Sequence, residues 1–150
     1  MTYDSRPDTE AHVAQVQSNM NAVIYDLIDR RDVHDASKFV DPEKTGFDEW
    51  TPKLRALTYG SDEYKAALSQ MGVFLAHHYE SNDHHPEHHS AGINGMNLMQ
   101  IMEMLADWKA AAMRHADGDI RKSLKINVKR FGLSEQVAQI LRNTVDYLGW

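Results

Sequence analysis

Six of the chain's nine histidines fall within thirteen residues: His77, His78, His84, His85, His88 and His89. Imidazole is a common transition-metal ligand, and its ordinary pKa of about 6.5 leaves it largely neutral and able to ligate near neutral pH. Grouping so many costs packing and solubility with no evident structural return, so the run reads as a metal site rather than a wet loop. It is internal and interrupted by Asn82, Pro86 and Glu87, which sets it apart from an added tag. No cysteine is present, so disulfides and thiolate sites are excluded and further ligands must be His, Asp or Glu. That donor set suits one or two divalent ions of Mn, Fe, Co, Ni or Zn.

The elements that must position these groups are helices. From Thr9, read as an N-cap, apolar residues recur at Val13, Val16, Met20, Val23, Ile24 and Leu27, a 3.6-residue stripe. His12 shares that stripe and is expected on the buried face. The helix is expected to end near Arg30-Arg31, where positive charge suits a C-terminus. A loop holding His34, Asp35 and Lys38 follows, then a turn-rich stretch through Asp41-Pro42 and Gly46. Phe47, Trp50, Leu54 and Leu57 suggest a short helix.

Ser61-Asp62 caps a longer helix whose stripe (Tyr64, Leu68, Met71, Phe74, Leu75) carries His78 inward and turns His77 away, until the pattern breaks beyond Asn82. Residues 90–96 read as a loop. A helix from about Asn97 to Arg114 has Leu98, Ile101, Met102, Leu105, Trp108 and Ala112 facing the core. Two more close the chain, with stripes Ile120, Leu124, Asn127/Val128, Phe131 and Val137, Ile140, Leu141, Thr144, Val145, Leu148, the last behind a Ser134 cap. No strand, repeat or linker emerges. The expected architecture is all-α, one domain over residues 1–150, a bundle of five to seven helices.

A length of 150 residues with 42% hydrophobic and 25% charged side chains is enough for a soluble domain with its own core. No apolar run approaches a membrane span and the start lacks signal-peptide character, so a cytoplasmic protein without membrane partners is expected. The net charge of −6 argues against stable nucleic-acid binding. Basic residues are uneven all the same. Lys109, Arg114, Arg121, Lys122, Lys125, Lys129 and Arg130 crowd one segment, either a solvated helix face or a wall that attracts anions.

On the 97–114 helix, Glu103 and Asp107 are four residues apart and project together, with Arg114 two turns beyond Asp107. Half-buried acids need partners, either a cation of the chain or a metal. Ligand-capable residues then run in order: His12, His34-Asp35, His78, His84/His85, Asp107. That order in an all-helical chain resembles the HD-domain metal-dependent phosphohydrolase superfamily, over about residues 12–115. His34-Asp35-Ala36-Ser37-Lys38 reads as HDxxK, where many single-metal nucleotidases carry Glu in place of Lys38. Lysine there is similar to the two-metal branch: cyclic-dinucleotide phosphodiesterases of the HD-GYP type, dinucleoside polyphosphate hydrolases and di-iron inositol oxygenases. His78-x3-Asn82-x-His84-His85-Pro-Glu with Glu103-x3-Asp107-Trp108 also resembles a small HD-like family common in phage and bacterial sequences, which brings no substrate with it. The chain departs from these patterns in lacking Gly-Tyr-Pro after the histidine pair and in its short His12–His34 interval.

The resemblance implies that His12, His34, Asp35 and Asp107 hold a first metal, and that Asp35 bridges to a second on His78 and on His84 or His85. It places Lys38 at the substrate, and makes Glu103 either an orienting partner of a ligand or a proton acceptor. Asn82, Arg114 and Arg130 are the remaining residues expected at the substrate. The implied activity is hydrolysis of a nucleotide or other small phosphoester, by a chain compatible with a homo-oligomer. A di-iron oxygenase and a metal-stabilised binding domain without turnover are the alternatives. His88 and His89 are expected at the rim, and His77 and His115 at the surface. Trp50, Trp108 and the methionines (Met96, Met99, Met102, Met104) are expected to fill the core.

Overall fold

The computed structural model describes residues 3–58, 61–114 and 118–150. Among them every regular element is helical. None of these helices is long and apolar enough to cross a membrane. Contacts divide the chain into two compact units, residues 1–34 and 35–150.

The first unit is one helix, α1 (Arg6–Val33). Ser5 rather than Thr9 occupies the N-cap. Pro7 sits in the first turn, where a missing N–H costs nothing, and Thr9 turns its hydroxyl onto the Ser5 carbonyl at 3.0 Å. Arg30 and Arg31 fall in the last turn as expected. No side chain of α1 is buried, which corrects the expected inward stripe: Val13, Val16, Met20, Val23 and Ile24 are 40–59% exposed. A lone helix has nothing within its own unit to bury a stripe against.

In the second unit, α2 (Glu43–Arg55) takes in Gly46, which had read as part of a turn. A close approach requires glycine at this position of the helix: a Cβ on Gly46 would lie 2.2 Å from the Phe74 ring. The expected single helix from Ser61 is two helices, α3 (Asp62–Gln70) and α4 (Gly72–Ser81). The Ser61 hydroxyl caps α3 by accepting from the Tyr64 N–H. Met71, wholly buried, closes α3 with its N–H bonded to the Ala67 and Leu68 carbonyls, and Gly72, a poor helix former, opens α4. Short 3-10 turns at Pro86–His88 and Gly92–Gly95 lead to α5 (Leu98–Ala112). It starts with a reciprocal capping box between Asn97 and Gln100.

α5, α6 (Ile120–Phe131) and α7 (Glu135–Tyr147) build the main core from Met104, Leu105, Trp108, Ile120, Leu124, Leu133, Leu141 and Val145. Trp108 stacks on Phe131 with centroids 5.9 Å apart. Gly132 ends α6 at φ +61, a left-handed C-terminal cap. Three residues expected to face the core stay exposed, namely Leu98, Ile140 and Leu148. Leu98 and Leu148 are the first and last residues of their stripes. Of the methionines, Met104 is buried and Met96, Met99 and Met102 are half-buried.

Candidate metal centre

α1 gives way to the second unit at Asp35, whose φ of +56° is the left-handed conformation that few side chains other than Asn and Asp tolerate. A 3-10 turn, Ala36–Phe39, follows and carries Ser37 and Lys38. The last turn of α4 supplies His77 and His78, the connection after Asn82 supplies His84 and His85, and α5 supplies Glu103 and Asp107.

Asp35, His78, His84 and His85 each offer one ligand-capable atom, all within 4.8 Å of one another. His78 Nε2 lies 2.8 Å from His85 Nε2 and 3.5 Å from Asp35 Oδ1, and His84 Nε2 lies 3.7 Å from the same oxygen. Ions bound at about 2.1 Å set neighbouring ligand atoms roughly 3.0 Å apart in an octahedron and 3.4 Å in a tetrahedron, which these separations bracket. One carboxylate and three imidazoles also match the borderline divalent metals by donor type. The residues fit a transition-metal ion.

The far side of two of the three rings is held by an acid. His78 Nδ1 donates to Glu43 Oε2 at 2.9 Å, and His84 Nδ1 pairs with Glu103 Oε1 at 3.1 Å. A proton fixed on Nδ1 leaves Nε2 as a lone pair turned toward Asp35, the usual carboxylate–histidine arrangement behind metal ligands. Glu43, the first residue of α2, is fully buried and also accepts from His77 Nδ1 (2.8 Å) and the Ser37 hydroxyl (2.9 Å). Burial pushes its carboxyl up, but the bonds from His77, His78 and Ser37 outweigh this and hold it below its ordinary value. Burial lowers His78, as does the Lys38 charge. Burial, then His84 and His78, push His85 down to about 2, so both rings stay neutral and ligand-competent.

The other expected residues distribute as follows. Lys38 Nζ sits 2.5 Å from Asp35 Oδ2 and over the Phe47 ring, so it neutralises the oxygen turned away from the histidines. Asp107, half-buried, brings a carboxylate oxygen within 4.8 Å of Asp35. Asn82, expected at the substrate, is buried instead, and its amide is spent on the His78 carbonyl and the Ser37 hydroxyl, each at 2.7 Å. Arg114 is exposed just beyond α5. Arg130 pairs with Glu87 at 2.7 Å. His12 is exposed on α1, and His34 closes the first unit directly before Asp35 in the chain. His88 and His89 bond the carbonyls of Tyr79 and Asp83 and so brace the loop. His77, expected at the surface, is 40% exposed yet holds Glu43. His115 lies outside the described residues. A groove of about 590 Å³ along α6 and α7, with Leu124 and Val128 beside Arg121, Lys125, Lys129 and Arg142, includes none of the cluster residues.

A family described as a family of unknown function (DUF5662) matches residues 1–147, nearly the whole chain. The chain belongs to DUF5662. No curated protein and no solved structure matches it.

The sequence reading of this DUF5662 chain missed Glu43, Ser37 and Tyr79. Glu43 stands 34 residues before His77 in a stretch that reads as a turn, and only the packing of α2 on α4 joins them. An available signal was an acid at the start of a helix, where the helix dipole favours negative charge. Tyr79 directly follows His78, and its ring lies 5.1 Å from that of His85. Burial, then the Glu87 charge, raise its phenol above its ordinary value, so it remains an O–H donor.

Proposed function

We propose that this protein is a metal-dependent phosphohydrolase acting on a nucleotide or other small phosphoester. The carrying observation is that His78 and His84, each backed by a buried or half-buried acid, converge with His85 on Asp35 Oδ1. The ordered HD-type residues of the sequence support the same reading. Asp35, His78, His84 and His85 would hold the ion, with Asp107 beside Asp35 as a further carboxylate. When bound, a divalent metal supplies Lewis acidity toward a phosphoryl oxygen and toward water.

The chain's own groups do the rest. Glu43 and Glu103 keep the protons of His78 and His84 on Nδ1, so that no proton occupies Nε2 of those two rings. Lys38 balances Asp35 and offers an ammonium for charge that develops on the phosphoryl group. Asp107, a half-buried carboxylate next to Asp35, is placed to accept a proton from attacking water.

The test is a screen of nucleotides, phosphomonoesters and phosphodiesters with Mn, Fe, Co, Ni or Zn added separately, with phosphate and nucleoside release both measured. Metal-dependent release that disappears in Asp35→Ala supports the proposal. Tight metal uptake without release from any phosphoester overturns it. In that case, oxygen consumption by the iron-loaded protein distinguishes an oxygenase from a binding domain.

A further inference from the structure

Beside the histidine cluster lies a second polar group that the metal centre does not use. The Arg130 guanidinium, on the last turn of α6, donates to Glu87 Oε1 at 2.7 Å and lies near enough to the Tyr79 phenol for its charge to favour the phenolate. Both partners are chain neighbours of cluster histidines. Tyr79 directly follows His78, and Glu87 stands two residues after His85. Tyr79 also packs its ring edge-on against His85. Arg130 therefore sits close to the cluster through Glu87 and Tyr79, with its own side chain 47% exposed.

Resting on the phosphohydrolase reading, we infer that Arg130 and Tyr79 form a phosphate-gripping subsite, with Glu87 as the placeholder that orients the guanidinium until a phosphate dianion takes its place. A guanidinium presents a planar fork that matches carboxylate and phosphate oxygens alike. Glu87 takes one bond from the guanidinium with a single negative charge. A terminal phosphoryl group offers the same oxygen geometry with nearly two. The Tyr79 hydroxyl adds a second donor, on a ring that packs against His85. The selected substrate class is accordingly a phosphomonoester, whose terminal group carries the second charge that an internal phosphodiester lacks.

Inorganic phosphate is the probe, titrated calorimetrically into parent and variant proteins whose metal content has first been measured. Arg130→Met should weaken phosphate binding about 10- to 100-fold, the loss expected for hydrogen bonds to a charged group. Tyr79→Phe should weaken it about 3- to 10-fold, as for a single hydroxyl. Glu87→Gln should tighten it several-fold, because the competing carboxylate is gone. A merely structural ion pair gives the opposite pattern, with Glu87→Gln as damaging as Arg130→Met. That pattern overturns the inference, as does phosphate binding unchanged in Arg130→Met. A parent protein that holds metal but binds no phosphate overturns the subsite alone. One that takes up no metal overturns the centre on which the subsite rests.

Discussion

Replacing Glu43 with glutamine keeps the shape of a buried side chain and removes its charge. In the parent, Glu43 accepts three hydrogen bonds: His77 on one oxygen, and His78 and Ser37 on the other. A glutamine oxygen can serve one side only, and its amide nitrogen then faces His78 or His77. If it faces His78, the Nδ1 proton has no acceptor. The ring then moves its proton to Nε2, where a metal must bind, or the network opens. Carboxylates behind metal-binding histidines are worth about 10- to 100-fold in affinity. Metal affinity in Glu43→Gln should therefore fall by about that factor, or about 1.4–2.8 kcal/mol. A hydrogen bond to a charged group contributes about 1.5–3 kcal/mol, so the metal-free variant should also lose stability of that order. The assay is competition against a chromophoric chelator, paired with thermal melts with and without metal. Metal affinity within threefold of the parent, in a variant that still folds, would refute the argument that Glu43 sets the His78 tautomer.

Three more outcomes follow from the same geometry. Lys38→Ala should keep its metal, because Lys38 contacts the oxygen of Asp35 turned away from the histidines. It should lose about 100-fold in catalytic efficiency on an identified substrate, and unchanged efficiency would move Lys38 out of the chemistry. Gly46→Ala puts a methyl 2.2 Å from the Phe74 ring and should cost about 1–3 kcal/mol by overpacking, read as a lowered denaturation midpoint at unchanged slope. Metal-free protein should lose stability as pH falls below about 6.5, because the unfolded chain takes up protons that His85 and His78 refuse when folded. For His85, held down to about 2, the loss reaches about 2 kcal/mol by pH 5 and continues toward that folded value, whereas nothing changes above pH 7. Glu43, also lowered, adds acid sensitivity through the carboxylate range. Equal denaturation midpoints at pH 7 and pH 5 would contradict this.

The all-helical class was legible from hydrophobic spacing, because stripes at three and four residues have no other regular use. The caps at Ser61 and Ser134 were legible for a local reason, since each acts within three residues of itself. The break at Met71-Gly72 was not read, although Gly72 marks it, because the stripe continues through it on both sides. Among site residues, Asp35, His78, His84 and His85 could be named from type and order. The choice between His84 and His85 had no local answer, and the cluster contains both. Glu43 and the Glu87–Arg130 pair were hidden because they depend on contacts across 34 and 43 residues, which no periodicity encodes. Asn82 stands in the motif, and its amide braces the His78 carbonyl.

Elemental analysis of protein purified from cultures supplemented with Mn, Fe, Co, Ni and Zn tests the metal centre most directly. The comparison is the parent, Asp35→Ala and His89→Ala. Asp35 Oδ1 is the oxygen on which His78 and His84 converge, whereas His89 is occupied with the Asp83 carbonyl. The account predicts equal, tightly held metal in the parent and His89→Ala, and none in a folded Asp35→Ala. Metal content in Asp35→Ala equal to that of the parent would contradict it.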